Sequence, residues 1–517
     1  MPRYQTPGVY VEETPGGPRG IPATDPSVAA FVGAFQRGPL QHPVLVTGIP
    51  EFERVFGQRD PGLPAAYEVH QFFHNGGRRA WIVRTAAGTP VAAGVVLESR
   101  GNPLVRITAA GPVGGTARED PGRWGDRLRV EVDHGPDASF DLTVRQVAPD
   151  DRTVRSETFQ GLVLDPAAPN EASSVVNAVS CLIRLDRLGL PPLPAPGSRP
   201  DATSAGGAVA LTGGDDGDAV DAPALLGTAG STTGLRALPE DVGLVTLPDA
   251  AHLAPDEARR AFREAAEVCE ERKAFLLVDP PVAIEDPGEL LAWVEDDVSV
   301  RHRNAALHVP RLEITDASAP GGKRAIGTSG SMAGLYARTD GDRGVWKAPA
   351  GSQAVLRHVL APTRDLTRSE VETLNPRGIN AIREYTGRGV LSWGARTLAG
   401  QDGGSAEWRY VPVRRLALFV ETSLERGLRW TVFEPNEPPL WAAVREDVDG
   451  FLMGLFRAGA LQGSKPEHAW YARCGRETTT EAERRAGVLN LEVGLAAVRP
   501  AEFTVLRVRL TTSDISP

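Results

Sequence analysis

Lysine is scarce. Only Lys273, Lys323, Lys347 and Lys465 occur, so arginine supplies nearly all of the 56 basic residues in a chain of 517. These are outnumbered by 66 acidic residues, which leaves a formal net charge of −10 and no basic block. Nucleic-acid binding needs Lys and Arg gathered along the phosphates, and it is not expected here. Cysteine is scarcer still: Cys181, Cys269 and Cys474 are odd in number and far apart, which excludes a disulfide framework and a Cys-x-x-Cys metal site. Reduced, mostly buried thiols are expected instead. No apolar run approaches the ~18 residues that span a bilayer, so no direct membrane insertion is expected. The opening MPRYQTPGVYVEE lacks the basic and apolar regions of a secretory signal, and production and assembly in the cytosol are expected.

What remains is an ordinary globular balance of 41% apolar and 24% charged residues. At roughly 150 residues per domain the length suggests about three domains. Glycine (56) and proline (43) are abundant, which implies many turns joining short elements. Residues 1–14 contain a β-prone Val9-Tyr10-Val11 followed by Pro15-Gly16-Gly17-Pro18, which reads as a short strand on a tether. VAAFVGAF from Val28 is a buried-strand candidate, followed by a helix over 65–75 and a strand over 80–84.

Residues 90–200 alternate apolar and polar with period two, as in LRVEVDH and FDLTVRQVA, and suggest an antiparallel insertion closed by a helix over 171–188. A Pro-rich run and a Gly/Asp-rich stretch to Asp221 suggest a flexible boundary. From about 240 the pattern turns β-α-β: a strand at VGLVTLPD, a helix over 255–273, a strand at AFLLVDPP, a helix over 289–300, a strand at AALHVPRLEIT and a helix over 329–338. The last third predicts strands at RRLALFVETSL and RWTVFEP, and a helix over 440–458 whose Trp441, Val444, Val448, Leu452, Leu455 and Phe456 recur at three- and four-residue steps. The terminal FTVLRVRL reads as a strand. Both ends of the chain are therefore strand-like.

Chemical motifs are few. His70 and His74 have the i, i+4 spacing of a zinc protease helix, but Gln71 replaces the general-base Glu and no third ligand is evident. Gly321-Gly322-Lys323-Arg324 lacks the first Gly and the Ser/Thr of a phosphate loop, and Gly327-Thr328-Ser329-Gly330-Ser331 misses the nucleophile elbow at its fifth position. Asp215-Asp216-Gly217-Asp218 lacks the length and closing Glu of a calcium loop. No catalytic, cofactor-binding or metal-binding residue is assigned, and no cofactor is expected.

Five blocks in order resemble the contractile tail sheath family of contractile phage tails and phage-tail-like injection systems. They are the arm Thr6-Pro7-Gly8-Val9-Tyr10-Val11 with SVAAFVGAFQRGP; Gln71-Phe72-Phe73-His74-Asn75-Gly76-Gly77 leading into Trp81-Ile82-Val83-Arg84; and Pro121-Gly122-Arg123-Trp124-Gly125-Asp126, with Asp126 replacing the usual Asn. The fourth runs from Ala305 through Gly330-Ser331-Met332-Ala333-Gly334-Leu335 to Trp346-Lys347-Ala348-Pro349. Thr328 and Met332 depart from its usual pattern. The fifth runs from Leu374-Asn375-Pro376-Arg377-Gly378 through Trp393-Gly394-Ala395-Arg396, Arg414-Arg415-Leu416 and Phe433-Glu434-Pro435-Asn436 to Pro500-Ala501-Glu502-Phe503.

The resemblance implies a multidomain mixed α/β chain and no enzymatic activity. The division it suggests is an N-terminal arm and tether (1–22), a tube-facing core with a mixed sheet (23–95 with 346–500), a β-rich outer insertion (96–200), a middle α/β domain (201–345) and a C-terminal β arm (501–517). It implies a homo-oligomer of stacked hexameric rings that polymerises around an inner tube protein and contracts to drive that tube through an envelope. Baseplate and terminal cap proteins would be further partners, in a particle assembled in the cytoplasm of the producing bacterium. Thr6, Pro7, Gly8, Val9, Tyr10 and Val11 would form an N-terminal arm between neighbouring copies, and Phe503, Val505, Leu506 and Val508 a C-terminal arm of the same kind. Arg445 and Asp449 on the 440–458 helix are candidates for facing the tube. A static tubular or shell protein, and an α/β hydrolase on residues 240–345 using Ser329 or Ser331, are the alternatives.

Overall fold

The computed structural model describes residues 20–113, 116–136, 139–188, 199–203, 207–296, 299–400, 406–497 and 504–511; the arm residues Thr6 to Val11 and Phe503 lie outside them. The chain divides into two compact units, one of Asp25–Arg415 and a second whose described residues are 20–24, 416–497 and 504–511.

Within 25–415, an eight-stranded sheet is built from β1 (Ala29–Gly33), β2 (Val44–Val46), β3 (Ala80–Arg84), β4 (Leu244–Thr246), β5 (Phe275–Val278), β6 (Ala305–Val309), β7 (Ile379–Tyr385) and β8 (Gly389–Ser392). Their order is β8-β7-β6-β5-β4-β1-β3-β2. β1 pairs in parallel with β3 on one side and with β4 on the other, and β4 to β7 continue in parallel. Antiparallel β2 and β8 form the edges. AAFVG, FLLV and AALHV are buried throughout, as parallel strands covered on both faces must be. Segments expected to belong to core and middle domains thus share one hydrogen-bonded layer.

Three helices follow the predicted periodicity: α1 (Pro64–His74), α2 (Pro255–Glu271) and α3 (Ser329–Arg343). The first two begin with proline, whose missing N–H costs nothing in a first turn. In α3, glycine permits direct backbone contact with α1. A Cβ on Gly330 would lie 2.2 Å from the Glu68 carbonyl oxygen, and one on Gly334 would lie 2.4 Å from that of Phe72. The expected helix over 289–300 is Pro287–Glu295. The expected single strand AALHVPRLEIT is two: β6 ends before Pro310, which has no N–H for the ladder, and Leu312–Thr315 joins a separate small sheet with Lys323–Ile326 and Ala361–Pro362.

The insertion has its own core, with Val105, Ile107, Leu128, Val130, Phe140 and Leu142 all fully buried. Two four-stranded antiparallel sheets enclose it. The helix expected over 171–188 ends at Val179, and Ile183–Arg187 is a strand beside Asn102–Val113. The Ser180 hydroxyl accepts the Leu182 and Ile183 N–H groups and redirects the chain. The stretch before Asp221 is a paired neck rather than a loose boundary: Val91 and Asp215 exchange backbone hydrogen bonds, and Ala87 bridges Asp218.

A buried ion pair closes that neck. Arg84, the last residue of β3, donates to Asp120 Oδ1 at 2.8 Å, to the Gly38 carbonyl at 3.0 Å and to the Pro121 carbonyl at 2.8 Å. Gly38 N–H donates to both Asp120 oxygens, and both charged side chains are almost wholly buried. Burial pushes the Asp120 carboxyl upward, and the Arg84 guanidinium opposes it. A second such pair, Arg415 with both oxygens of Asp340 at 2.9 and 2.6 Å, joins the chain near residue 415 to α3.

The chain order reverses between β1 and β4, and beyond the carboxyl ends of these strands lies a cleft of about 720 Å³ whose walls include Phe35, Thr85, Arg123, Arg127 and Asp249. Asp249 is 8% exposed, accepts the Ala34 N–H at 3.1 Å, and is raised by burial from 3.8 to about 7.

In the second unit, α4 (Val411–Gly427) begins within the first unit and continues here. The predicted strand RRLALFVETSL is this helix. Residues 411–420 are all buried, as are Ser423, Leu424 and Leu428; a helix covered on nearly every side meets its own backbone hydrogen bonds and overrides β-propensity. The predicted strand RWTVFEP is a short 3-10 turn over Arg429–Thr431 and an exposed bend. α5 (Pro438–Arg457) matches the predicted helix within two residues. The sheet β9-β10-β11 (Trp470–Cys474, Val488–Leu495 and Thr504–Thr511) completes the unit.

Two stability tests follow. Asp120→Ala strands a buried guanidinium and should lower unfolding free energy by about 3–5 kcal/mol, read as a fall in the urea midpoint. Asp249 is protonated more readily folded than unfolded. Its favourable contribution is therefore complete below pH 3.8 and lost as pH rises through about 7. Asp249→Asn should leave stability near pH 4 unchanged and raise it at pH 8 by on the order of a few kcal/mol, checked by denaturant midpoints at both pH values.

Candidate assembly surfaces

The terminal sheet is built on α5. Leu440, Trp441, Val444, Val448, Leu452 and Leu455 form its buried stripe. Trp470 Nε1 donates to Asp449 Oδ1 at 3.0 Å, Arg445 donates to the Cys474 carbonyl, and the Phe456 and Trp470 rings lie 5.7 Å apart. Arg445 and Asp449 are thus both engaged with β9, Arg445 half-buried and Asp449 exposed. Leu489, Leu491, Val493 and Leu495 of β10 are buried.

β10 and β11 pair antiparallel over eight positions, from Val488 opposite Thr511 to Leu495 opposite Thr504. Leu506 sits opposite Val493, Val508 opposite Leu491 and Val505 opposite Gly494. In the single chain, then, the three described residues of the expected C-terminal arm lie in a strand paired with its own β10. At the other end, Thr24 N–H donates to Ser423 Oγ at 3.1 Å and Ile21 is buried; a Cβ on Gly427 would lie 2.6 Å from Ile21. The chain entering from the N-terminal tether is therefore docked on α4.

The chemical candidates are distributed differently. Ser329 Oγ and His308 Nε2 are both buried without hydrogen-bond partners, so the Ser–His bond of an activated nucleophile is not formed. Asp279 Oδ1 instead accepts the Thr328 and Ser329 N–H groups at 2.6 and 2.9 Å, at the start of α3. Burial lowers His308 to about 3, which keeps it neutral. Ser331 donates to Gln71 Oε1 at 3.3 Å. His70 lies 3.5 Å from Glu53, while the His74 ring stacks on His358 at 4.1 Å. Among the described residues no group of three or more His, Cys, Asp or Glu side chains is placed to hold a metal ion.

Gly321 and Gly322 form a positive-φ turn into the Lys323–Ile326 strand, where Lys323 meets Glu313 at 3.3 Å. Cys269 and Cys474 are buried, and burial pushes both thiols up to about 12; Cys181 is half-buried. No helix among the described residues is long and apolar enough to cross a membrane. Sequence reasoning missed the Arg84–Asp120 anchor and the bridge made by Asn436, which accepts from Trp441 Nε1 at 2.7 Å and donates to the Val488 carbonyl at 3.0 Å. Arg84 and Asn436 both lie in the resembling blocks, which was the one available signal.

Residues 405–511 match the family model of the phage tail sheath C-terminal domain. The tail sheath protein of Burkholderia phage BcepMu is 31% identical over 166 residues, 31% of this chain and 34% of that protein. The chain thus spans about a third of the length of this curated relative. The contracted helical sheath of the anti-feeding prophage superposes with a TM-score of 0.54 at 24% identity, covering 98% of this chain and 99% of that one. A sheath tail protein from Desulfitobacterium hafniense gives a TM-score of 0.62 at 13% identity, covering 98% and 100%. By sequence over residues 405–511, and by fold over nearly its whole length, the chain is similar to contractile tail sheath proteins.

Proposed function

We propose that this chain is the structural building block of a contractile sheath, polymerising helically around an inner tube and contracting from a metastable extended state to drive that tube through a target envelope. The observation that carries the reading is the match of residues 405–511 to a tail sheath domain. The same segment contains the strand ladder on which coupling between neighbouring copies would depend.

A backbone ladder makes little demand on side chains. The place beside β10 that β11 fills in the single chain can be filled by the same strand of another copy, the register being unchanged. In this reading Phe503, Val505, Leu506 and Val508 form the exchanged C-terminal arm, and Thr6, Pro7, Gly8, Val9, Tyr10 and Val11 add a further strand from another neighbour. In this reading the arms stay joined while body contacts rearrange, so contraction proceeds without breaking the lattice. Repetition over many copies turns a few kcal/mol each into mechanical work without nucleotide.

Arg445 and Asp449 are assigned to the tube-facing side. Their ties to β9 would hold α5 in a fixed orientation toward the tube. The partners are further copies of the chain, an inner tube protein, and baseplate and cap proteins, in a particle assembled in the cytoplasm of the producing bacterium.

Gently purified protein should form hollow, wide-bored cylinders in negative stain. Deleting residues 1–20 should leave a folded body that does not polymerise. Leu506→Pro removes an N–H from the ladder and should abolish contraction-competent particles; normal cylinders from either variant would falsify the arm mechanism.

A further inference from the structure

Between α4 and α5 the chain presents Val432 and Phe433 to solvent, 36% and 76% exposed. Phe433 has φ +70°, a left-handed conformation that a bulky side chain adopts only under constraint. The surrounding bend is well tied. Glu434 N–H donates to the Thr431 carbonyl at 3.1 Å, Asn436 bridges Trp441 and Val488, and Arg484 meets Glu437 at 2.9 Å. A strained backbone thus holds an aromatic ring out in water on a rigid frame. Folding of the isolated chain gains nothing from either feature, whereas a preorganised aromatic is what an interface anchor requires.

Two observations indicate what receives it. Through Asn436 the bend is bonded to Val488, the first residue of β10, so it adjoins the ladder that would couple one copy to the next. The chain also carries a hole of matching kind. An apolar pocket of about 130 Å³ is lined by Ile284, Leu290, Val309, Pro310, Leu366 and Leu374, and an apolar cavity of about 150 Å³ accommodates a benzene ring.

Charge agrees with shape. Arg311, Arg364 and Glu285 also line the pocket. Arg364 is paired with Glu370 at 2.6 Å. Arg311 donates to the Ala325 carbonyl at 3.2 Å and makes no ion pair among the described residues. Glu434, beside the exposed ring, is itself exposed and without an ion pair among the described residues.

We propose that Phe433 of one copy inserts into this pocket of a neighbouring copy, where Glu434 meets Arg311. Knob and hole are different patches of the same chain, so the contact is heterologous and propagates rather than closing into a dimer. The inference rests on the sheath reading and assigns it a specific body-to-body contact, separate from the terminal arms.

The test is the threshold concentration for cylinder formation by the full chain, measured by sedimentation and negative stain. Phe433→Gly removes the ring and relieves the backbone, so the melting temperature should stay equal or rise while the threshold rises at least tenfold. Glu434→Arg and Arg311→Glu should each raise it several-fold, and the two together should return it toward the wild-type value. The proposal is overturned if Phe433→Gly assembles at the wild-type threshold, or if the double variant, folded by its melting curve, recovers nothing. Normal cylinders that fail to retain the inner tube would make the tube protein the ring's partner and also overturn it. If the unaltered chain forms no cylinders at any salt or concentration, the sheath reading itself fails, an outcome distinguishable from the others.

Discussion

A strand edge leaves a row of backbone N–H and C=O groups that must be paired or solvated, and the β10–β11 ladder is where this chain meets that requirement. Eight register positions are held together by main chain, on a sheet whose other side is fixed by α5 through Trp470, Asp449 and Arg445. Because the pairing groups are the same in every residue but proline, such a ladder specifies position and direction more than partner. That property makes one sheet usable both within one copy of the chain and, in the proposed sheath, between copies. It also places the demand for specificity on side chains elsewhere, where shape and charge distinguish one body surface from another.

Inside the 25–415 unit, two buried arginine–aspartate pairs do the orienting. Arg84–Asp120 joins the end of β3 to the insertion, and Arg415–Asp340 joins the start of α4 to α3. Pairs of this type add little stability over an apolar replacement, but breaking one leaves a buried charge. Alternative dockings of the insertion or of the start of α4 are therefore disfavoured. An insertion tied at its neck by hydrogen bonds and a buried charge is held to the sheet that carries it, as the body of the proposed sheath subunit would require.

Much of the layout was legible from periodicity. α1, α2 and α5 begin and end within two residues of where apolar spacing and proline place them, and β1, β3, β5 and β6 coincide with short apolar runs. The failures share a cause. RRLALFVETSL has a β-prone composition, and Arg414 to Val420 are buried without a break, so no amphipathic stripe marks it as a helix. Residues 171–188 looked continuous because Ser180 is compatible with a helix until its hydroxyl takes the Leu182 and Ile183 amides. The Gly/Asp-rich stretch before Asp221 read as loose because its order comes from backbone pairing with residues 87–94, which no local pattern records.

Composition and spacing argued against a disulfide scaffold and a basic nucleic-acid surface and placed the longer helices other than α4, and five blocks of residues carried a family resemblance, since these depend on residues near one another in the chain. Other properties were set only when distant segments met. Which aspartate neutralises Arg84, 36 positions away, which edge the final strand occupies, and why Phe433 points into solvent in a left-handed backbone all depend on through-space proximity and on the sign of a dihedral. Neither leaves a trace in local sequence, because the same residues are compatible with several dockings until packing selects one.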